Sequence, residues 1–514
     1  MYIKLKPTLR YLQIMGILIF GILSLLACSS NQSELTLTVG PTNFPTPPTE
    51  DNPPATQIDS VQDQVTSTPE ETPQDDLNGS SPIQYQLNAV FDYYNHLVVV
   101  GETIVIPHPA KVELDEVVLV VPPNAWPNAF SIQKLITETA PSIESYSLEG
   151  VRLTILMEEP WLPGDDLILT IDYKLTLPVQ NAREGFGPSP FGYTPRQTNL
   201  VDWYPMVPPY QEGIGWIIHD PWIFGEYLVY PAANYQVRLE ITNSPFLVVA
   251  ASSDVVEDGS IRSYTLDQAR NFVFSISPDY LVLESEVGGT KVLGYIFPPY
   301  QVPGQAAFET TKQALSLYSD LFGPFEQSSL SMVQADFNHG MEYEGLYFQS
   351  QGFFDLYSGS EKSYLVMIAA HETAHQWWYG QIANNQALEP WLDEALCTFS
   401  ELIYYENLYP ESVDWWWATR VNYYEPYGVI DRSIYGFSEF PDQYLAYRNA
   451  TYLQGAKFIN DLRNSLGEED FLIFLRGYLE HYSNQIVSGE DFFVSLRNYI
   501  ELENSTLMGD YFSQ

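Results

Sequence analysis

Two histidines four residues apart in an otherwise apolar run, VMIAAHETAHQWWYG at residues 366–380, constrain this chain more than any other stretch of it. On a helix, positions i and i+4 lie one above the other, so His371 and His375 present both imidazoles to one point, with Glu372 beside them. That spacing is the HExxH arrangement for a zinc ion. A third group stands at a defined distance: in EPWLDEALCTFSE, Glu394 follows His375 by 19 residues and opens a second helical segment. Any fold for this chain has to bring those two segments together. Two histidines and one glutamate leave a fourth position open to water, the pattern of a catalytic and not a structural zinc site. Such a zinc polarises a carbonyl and acidifies the water. Glu372, too close to His371 to be a comfortable extra ligand, is placed to take the water's proton and pass it to a leaving amine.

The rest of the chain bounds where such chemistry would operate. The first 28 residues carry Lys4, Lys6 and Arg10, then an apolar run from Tyr11 to Ala27 that ends at Cys28. This is an export signal, and the small residue before Cys28 resembles the lipobox of bacterial lipoproteins, whose cysteine is acylated after cleavage. The expectation is a membrane-anchored lipoprotein facing the extracytoplasmic side. With Cys28 given to a lipid, Cys397 is the one cysteine left, so no intramolecular disulfide can form. Residues 29–82 are rich in Pro, Ser and Thr, with nine acidic and no basic residues, and read as a disordered tether. As a flexible coil it would reach about 40 Å on average.

Of the formal net charge of −43, most belongs to residues 83–514. So acidic a surface repels phosphate backbones and argues against nucleic acid as a partner. Residues 83–285 are strand-like, with HLVVVGETIVI, VELDEVVLVV, DLILTIDYKLTLP, YQVRLEIT and NFVFSIS between Pro, Gly, Asn and Asp turns, which predicts an antiparallel β domain. Residues 286–514 change texture. GQAAFETTKQALSLYSDLFGPF reads as a helix and SSLSMVQAD as a strand, and helices dominate from residue 361 onward. The fold class is therefore multidomain α+β.

Several separated segments resemble the zinc aminopeptidases related to aminopeptidase N, the M1 metallopeptidases. Besides the zinc motif, HGMEYEG at residues 339–345 is similar to that family's exopeptidase motif, usually written G-A-M-E-N, keeping Met341 and Glu342. TYLQGAKFINDL is similar to the segment that carries the family's oxyanion-stabilising tyrosine, and WYPMVPPY and GEYLVYPAANYQVRLEIT to its N-terminal domain. The likeness runs from about residue 85 to the end. It implies an N-terminal β domain followed by a thermolysin-like catalytic domain, one zinc ion, and peptide substrates with a free N-terminus. It also implies that Glu342 binds the substrate's α-amino group and that Tyr452 stabilises the oxyanion. The physics agrees, since a carboxylate fixed about one residue's length from the zinc favours cleavage after the first residue. Backbone at Gly340 and Met341 could pair with an extended peptide as an added strand.

Helix geometry adds two neighbours of the ligands. Glu401, seven residues after Glu394, shares its helix face and could accept a hydrogen bond from a ligand histidine. Asp393 stands where the family usually has Asn, and either plays a similar role or faces water. Trp377, Trp378 and Cys397 read as core. The departures from the family are His339 and Tyr343 within the exopeptidase motif and, in the β domain, the lack of an identifiable glutamine or glutamate to complete the amine pocket. No long C-terminal helical domain follows either, so longer peptides would have easier entry. Two alternatives stand beside the aminopeptidase reading: an altered-specificity zinc endopeptidase, and a non-catalytic peptide-binding scaffold of the same fold.

Overall fold

Strict alternation in Ile83–Asp92 turns Tyr85, Leu87, Ala89 and Phe91 inward and their neighbours to solvent, and that period-2 pattern builds the first half of the molecule. A computed structural model describes residues 82–180, 190–338, 340–500 and 507–513; the export signal, Cys28, the tether and His339 lie outside them. Seven strands form the main β sheet, in the order Val256–Asp258, Ile261–Ala269, Ala233–Thr242, Ile83–Asp92, Leu97–Ile106, Leu167–Thr176 and Phe130–Thr137. Their pairings are antiparallel except that Ile83–Asp92 runs parallel to Ala233–Thr242. A three-stranded sheet, a four-stranded sheet and a short two-stranded ribbon, Tyr210–Gln211 with Gly215–Trp216, complete this half, around a core that includes Trp161, Trp203 and Tyr173.

The second half starts with its own five-stranded sheet, in the order Leu281–Val287, Thr290–Ile296, Ser329–Gln334, Leu346–Gln349 and Met341–Tyr343. The boundary expected at 285/286 thus falls inside a strand of this sheet, because Leu281–Val287 pairs with Thr290–Ile296. Helix Gln301–Phe322 follows the second strand. The two halves pack within one compact unit.

Two helices at the centre of the second half position the site. Tyr364–Ala374 is buried on nearly all sides, as its apolar composition requires. It begins where the Ser363 side chain accepts from Val366 N at 3.4 Å, an N-cap that satisfies one orphan donor. Trp391–Leu408 starts after Pro390 with Asp393 and Glu394 in its first turn, where the helix dipole favours negative charge. Trp377, Trp378 and Cys397 are buried in the core around these helices. The two indoles find acceptors, Trp377 on Gly323 O at 3.0 Å and Trp378 on Ser400 Oγ at 3.2 Å.

Candidate metal centre and its carboxylates

The last turn of Tyr364–Ala374 and the first of Trp391–Leu408 face each other, which brings three expected ligands to one point. Nε2 of His375 lies 3.2 Å from Nε2 of His371 and 3.7 Å from Glu394 Oε2, and His371 Nε2 lies 3.1 Å from the same oxygen. Ligands about 2.0–2.1 Å from a tetrahedral zinc stand about 3.3 Å from one another. The donor set and its spacing therefore fit zinc.

Each histidine has its other nitrogen fixed. His371 Nδ1 donates to Glu401 Oε1 at 2.9 Å and His375 Nδ1 to the Trp378 carbonyl at 3.1 Å, which leaves both Nε2 atoms free to ligate. Glu401 is itself held by Arg420, from Nη2 at 2.8 Å and Nε at 3.0 Å, and by Trp416 Nε1 at 3.0 Å. Burial alone would lower the His371 imidazole, but its hydrogen bonds to Glu394 and Glu401 outweigh burial and push it up to about 10. The surrounding acids thus call for a cation at this point. Burial pushes His375 down to about 4 and keeps it neutral. Glu394 is held below the ordinary glutamate range, its burial outweighed by His371 and His375.

Glu372 is buried beside the ligands, and its Oε2 has no hydrogen-bond partner among the described residues. Burial pushes its carboxyl up to about 8, against the pull of His371. Gly340 sits over it so closely that a Cβ there would make the Glu372 carboxylate swing aside. Next along the chain, Met341–Tyr343 pairs on one side with Leu346–Gln349 and is the edge of its sheet among the described residues. Gln376, just after His375, ties this strand to the zinc helix: it accepts from Gly345 N at 2.9 Å and donates to Tyr343 O at 3.2 Å. Tyr452 stacks on the His371 ring at 6.1 Å, and its hydroxyl donates to Glu394 Oε1.

Asp393 does neither of the two things expected of it. It is buried instead of facing water, and it accepts from Asn384 at 3.1 Å and Gln386 at 2.7 Å instead of from a ligand histidine. The reason is direction: one residue before Glu394 on the helix, its side chain is rotated about 100° away from the ligand face. Gln386 also donates to Glu342 at 3.1 Å and so links the two acids.

One acid of the cleft was not singled out by its sequence. Glu226, from the β domain, brings a carboxylate oxygen within 4.8 Å of both Glu342 and Glu394. Its Oε2 is buried without a hydrogen-bond partner among the described residues. Burial, then the neighbouring carboxylates, push Glu226 and Glu342 well above the glutamate range. The available signal was an acid set in the aromatic run WIFGEYLVY, a costly position unless something offsets the charge.

Comparison with known proteins agrees with this geometry. Residues 306–511 match the peptidase family M1 domain. Aminopeptidase M1-B of Oryza sativa subsp. japonica is 29% identical over 213 residues, 39% of this chain and 24% of that protein. Endoplasmic reticulum aminopeptidase 2 of Homo sapiens is 28% identical over 242 residues, 44% of this chain and 24% of that protein. The chain thus spans about a quarter of the length of these curated relatives. The crystal structure of an M1 zinc metallopeptidase from Deinococcus radiodurans superposes with a TM-score of 0.58 at 16% identity, covering 84% of this chain and 94% of that one. At that identity the likeness concerns the fold. A mutant of the Deinococcus radiodurans protein has been solved bound to a Tyr-Ser-Ala substrate, with a TM-score of 0.57 at 16% identity, covering 84% of this chain and 96% of that one.

Proposed function

We propose that the chain, whose residues 306–511 match the peptidase family M1 domain, is a zinc-dependent aminopeptidase releasing N-terminal residues from peptides. His371, His375 and Glu394 would hold the zinc, which supplies Lewis acidity towards the peptide carbonyl and acidifies a water. The chain's own residues do the rest. Glu372, a stronger proton acceptor than an ordinary carboxylate because it is buried, takes a proton from the attacking water and returns it to the amine nitrogen as the peptide C–N bond breaks. The Tyr452 hydroxyl gives up its bond to Glu394 and donates to the oxygen on which negative charge develops. The free edge of Met341–Tyr343 aligns the peptide backbone as an added strand.

The observation that carries the exopeptidase reading is the pair Glu226 and Glu342. The half-buried Glu226 and the buried Glu342 lie against the third ligand, with no Lys or Arg among the main influences on either. A substrate α-ammonium is a cation of the right size to neutralise them, and their distance from the ligands admits a single residue. Location rests on the leader alone: the basic, apolar, Ala-Cys28 succession supports an exported lipoprotein held at a membrane.

The test is a panel of aminoacyl fluorogenic amides beside their N-acetylated counterparts, with zinc-loaded protein. Cleavage confined to the free amines is expected, and it should fall when Glu342 or Glu226 is changed to Gln. Equal cleavage of acetylated substrates would overturn the amine-anchoring role and favour an endopeptidase.

A further inference from the structure

The β domain reaches the metal site through a turn whose backbone is strained. After the zinc helix the chain makes a wide reversal, in which Gly380 N donates to His375 O at 2.9 Å, Gln381 N to Gln376 O at 3.2 Å and Ile382 N to Trp377 O at 3.1 Å. Within it Tyr379 has φ +142°, a region that bulky side chains avoid. The φ of residue 379 and the ψ of residue 378 together rotate the peptide plane between them. Relaxing Tyr379 to negative φ would therefore swing the Trp378 carbonyl, the acceptor of His375 Nδ1. The strain is the condition for aiming that carbonyl at a ligand.

Two consecutive residues of the β domain hold this turn. Arg270 is buried, and its guanidinium donates only to backbone carbonyls: Nε to Gly380 at 2.9 Å, Nη2 to Gln381 and Gln485 at 3.1 Å, Nη1 to Asn484 at 3.2 Å and Tyr230 at 3.4 Å. All five of its N–H groups are used, which lysine could not reproduce. Asn271 donates from Nδ2 to the Tyr379 hydroxyl, while its Oδ1 accepts from Glu344 N at 3.3 Å. The Arg270 backbone N in turn donates to Glu344 Oε2 at 2.7 Å. The pair thus grips the turn after His375 and the strand that carries Glu342 together.

We propose that Arg270 and Asn271 are positioning residues of the metal centre: they hold the Tyr379 turn in its strained form, and through the Trp378 carbonyl they fix the tautomer and direction of His375. Thus the β domain sets the affinity of the metal site in the other half of the molecule. The inference rests on reading His371, His375 and Glu394 as zinc ligands.

The test uses the full chain with Arg270→Lys and Tyr379→Phe, the latter removing only the acceptor of Asn271. Two quantities are measured: the zinc dissociation constant, by competition with a chelator, and the unfolding midpoint of the metal-free protein. Loss of a group that orients a ligand weakens binding by roughly 10- to 100-fold, and that is the expectation for Arg270→Lys, with a smaller loss for Tyr379→Phe. Zinc affinity equal to wild type in a folded variant, with only the metal-free midpoint lowered, would overturn the proposal and leave the pair a merely structural joint. Should Arg270→Lys fail to fold, Tyr379→Phe decides by the same criterion. A wild-type chain that takes up no zinc would instead sink the reading of the site itself.

Discussion

Glu102 in the β domain and Glu401 in the catalytic half are equally buried, both 0% exposed, yet they are kept in opposite states. Glu102 sits mid-strand in Leu97–Ile106, both oxygens without a well-formed hydrogen bond and Tyr173 as its polar neighbour. Burial pushes its carboxyl well above the glutamate range and so favours the protonated form. Glu401 suffers the same desolvation, but Arg420 and then His371 outweigh it and hold the carboxyl below that range. Where the fold supplies a cation the acid ionises, and where it does not the acid keeps its proton. Glu226, Glu342 and Glu372 form a third group, raised by burial and then by neighbouring carboxylates. No basic side chain is among the main influences on Glu226 and Glu342, and His371 only partly offsets the rise of Glu372, which is how a site that takes its cations from outside is built.

The largest effect expected from this contrast concerns the third group. Glu372→Gln removes the proton carrier without touching a ligand, so turnover of a free-amine substrate should fall by about 10²- to 10⁴-fold while zinc is still bound. Replacing a buried acid, one of whose oxygens has no hydrogen-bond partner among the described residues, should also leave the metal-free fold about as stable. Steady-state kinetics, zinc content and denaturant unfolding of one preparation check all three. A variant that keeps full turnover would return Glu372 to the class of spectator acids with Glu102.

Next in size is the pair itself. Arg420→Met leaves Glu401 buried with its main cation gone, a change that costs about 3–5 kcal/mol when one partner of a buried pair is lost. The double change Arg420→Met, Glu401→Leu should recover much of that loss, because neither charge then remains to be solvated. Urea unfolding of the two metal-free variants measures this. A loss below about 1 kcal/mol for the single variant would mean that water reaches Glu401 and that the contrast with Glu102 is one of exposure.

What could be read before any coordinates follows a physical rule: contacts set by one helix are legible, contacts set by tertiary return are not. His371, His375, Glu394 and Glu401 lie on two helices adjacent in sequence, and helical periodicity brings each to its place. Alternation likewise reveals Ile83–Asp92 as a strand but says nothing of its parallel partner Ala233–Thr242, which depends on a long return of the chain. Glu226 reaches the cleft from the other domain, inside a segment whose family likeness was visible while its acid went unassigned. Asp393 shows a subtler limit. Its place in the first helical turn suited either water or a ligand histidine, and only the packing of Asn384 and Gln386 onto it removed both options. Tyr379 and Arg270 were silent, since neither a φ angle nor a set of backbone carbonyl partners leaves a residue-type signature.

The smallest expected effect isolates Glu102. Its folded-state pKa lies above its unfolded value, so between those values the folded protein binds more protons than the unfolded chain. The contribution to stability is fully present below the ordinary glutamate range, about pH 4 to 5, and declines as pH rises towards the folded-state value. The decline is at most about 1.4 kcal/mol per pH unit. Glu102→Gln cannot titrate, so its stability relative to wild type should rise with pH above the ordinary glutamate range. Many other groups titrate over the same range, but they are shared by both proteins and cancel in the difference. Unfolding the two proteins side by side from pH 5 to 9 therefore reads one carboxyl. A flat difference would show that Glu102 keeps the same protonation in folded and unfolded chains. It would then have a partner as good as Arg420, and the two halves of the molecule would handle buried acid alike.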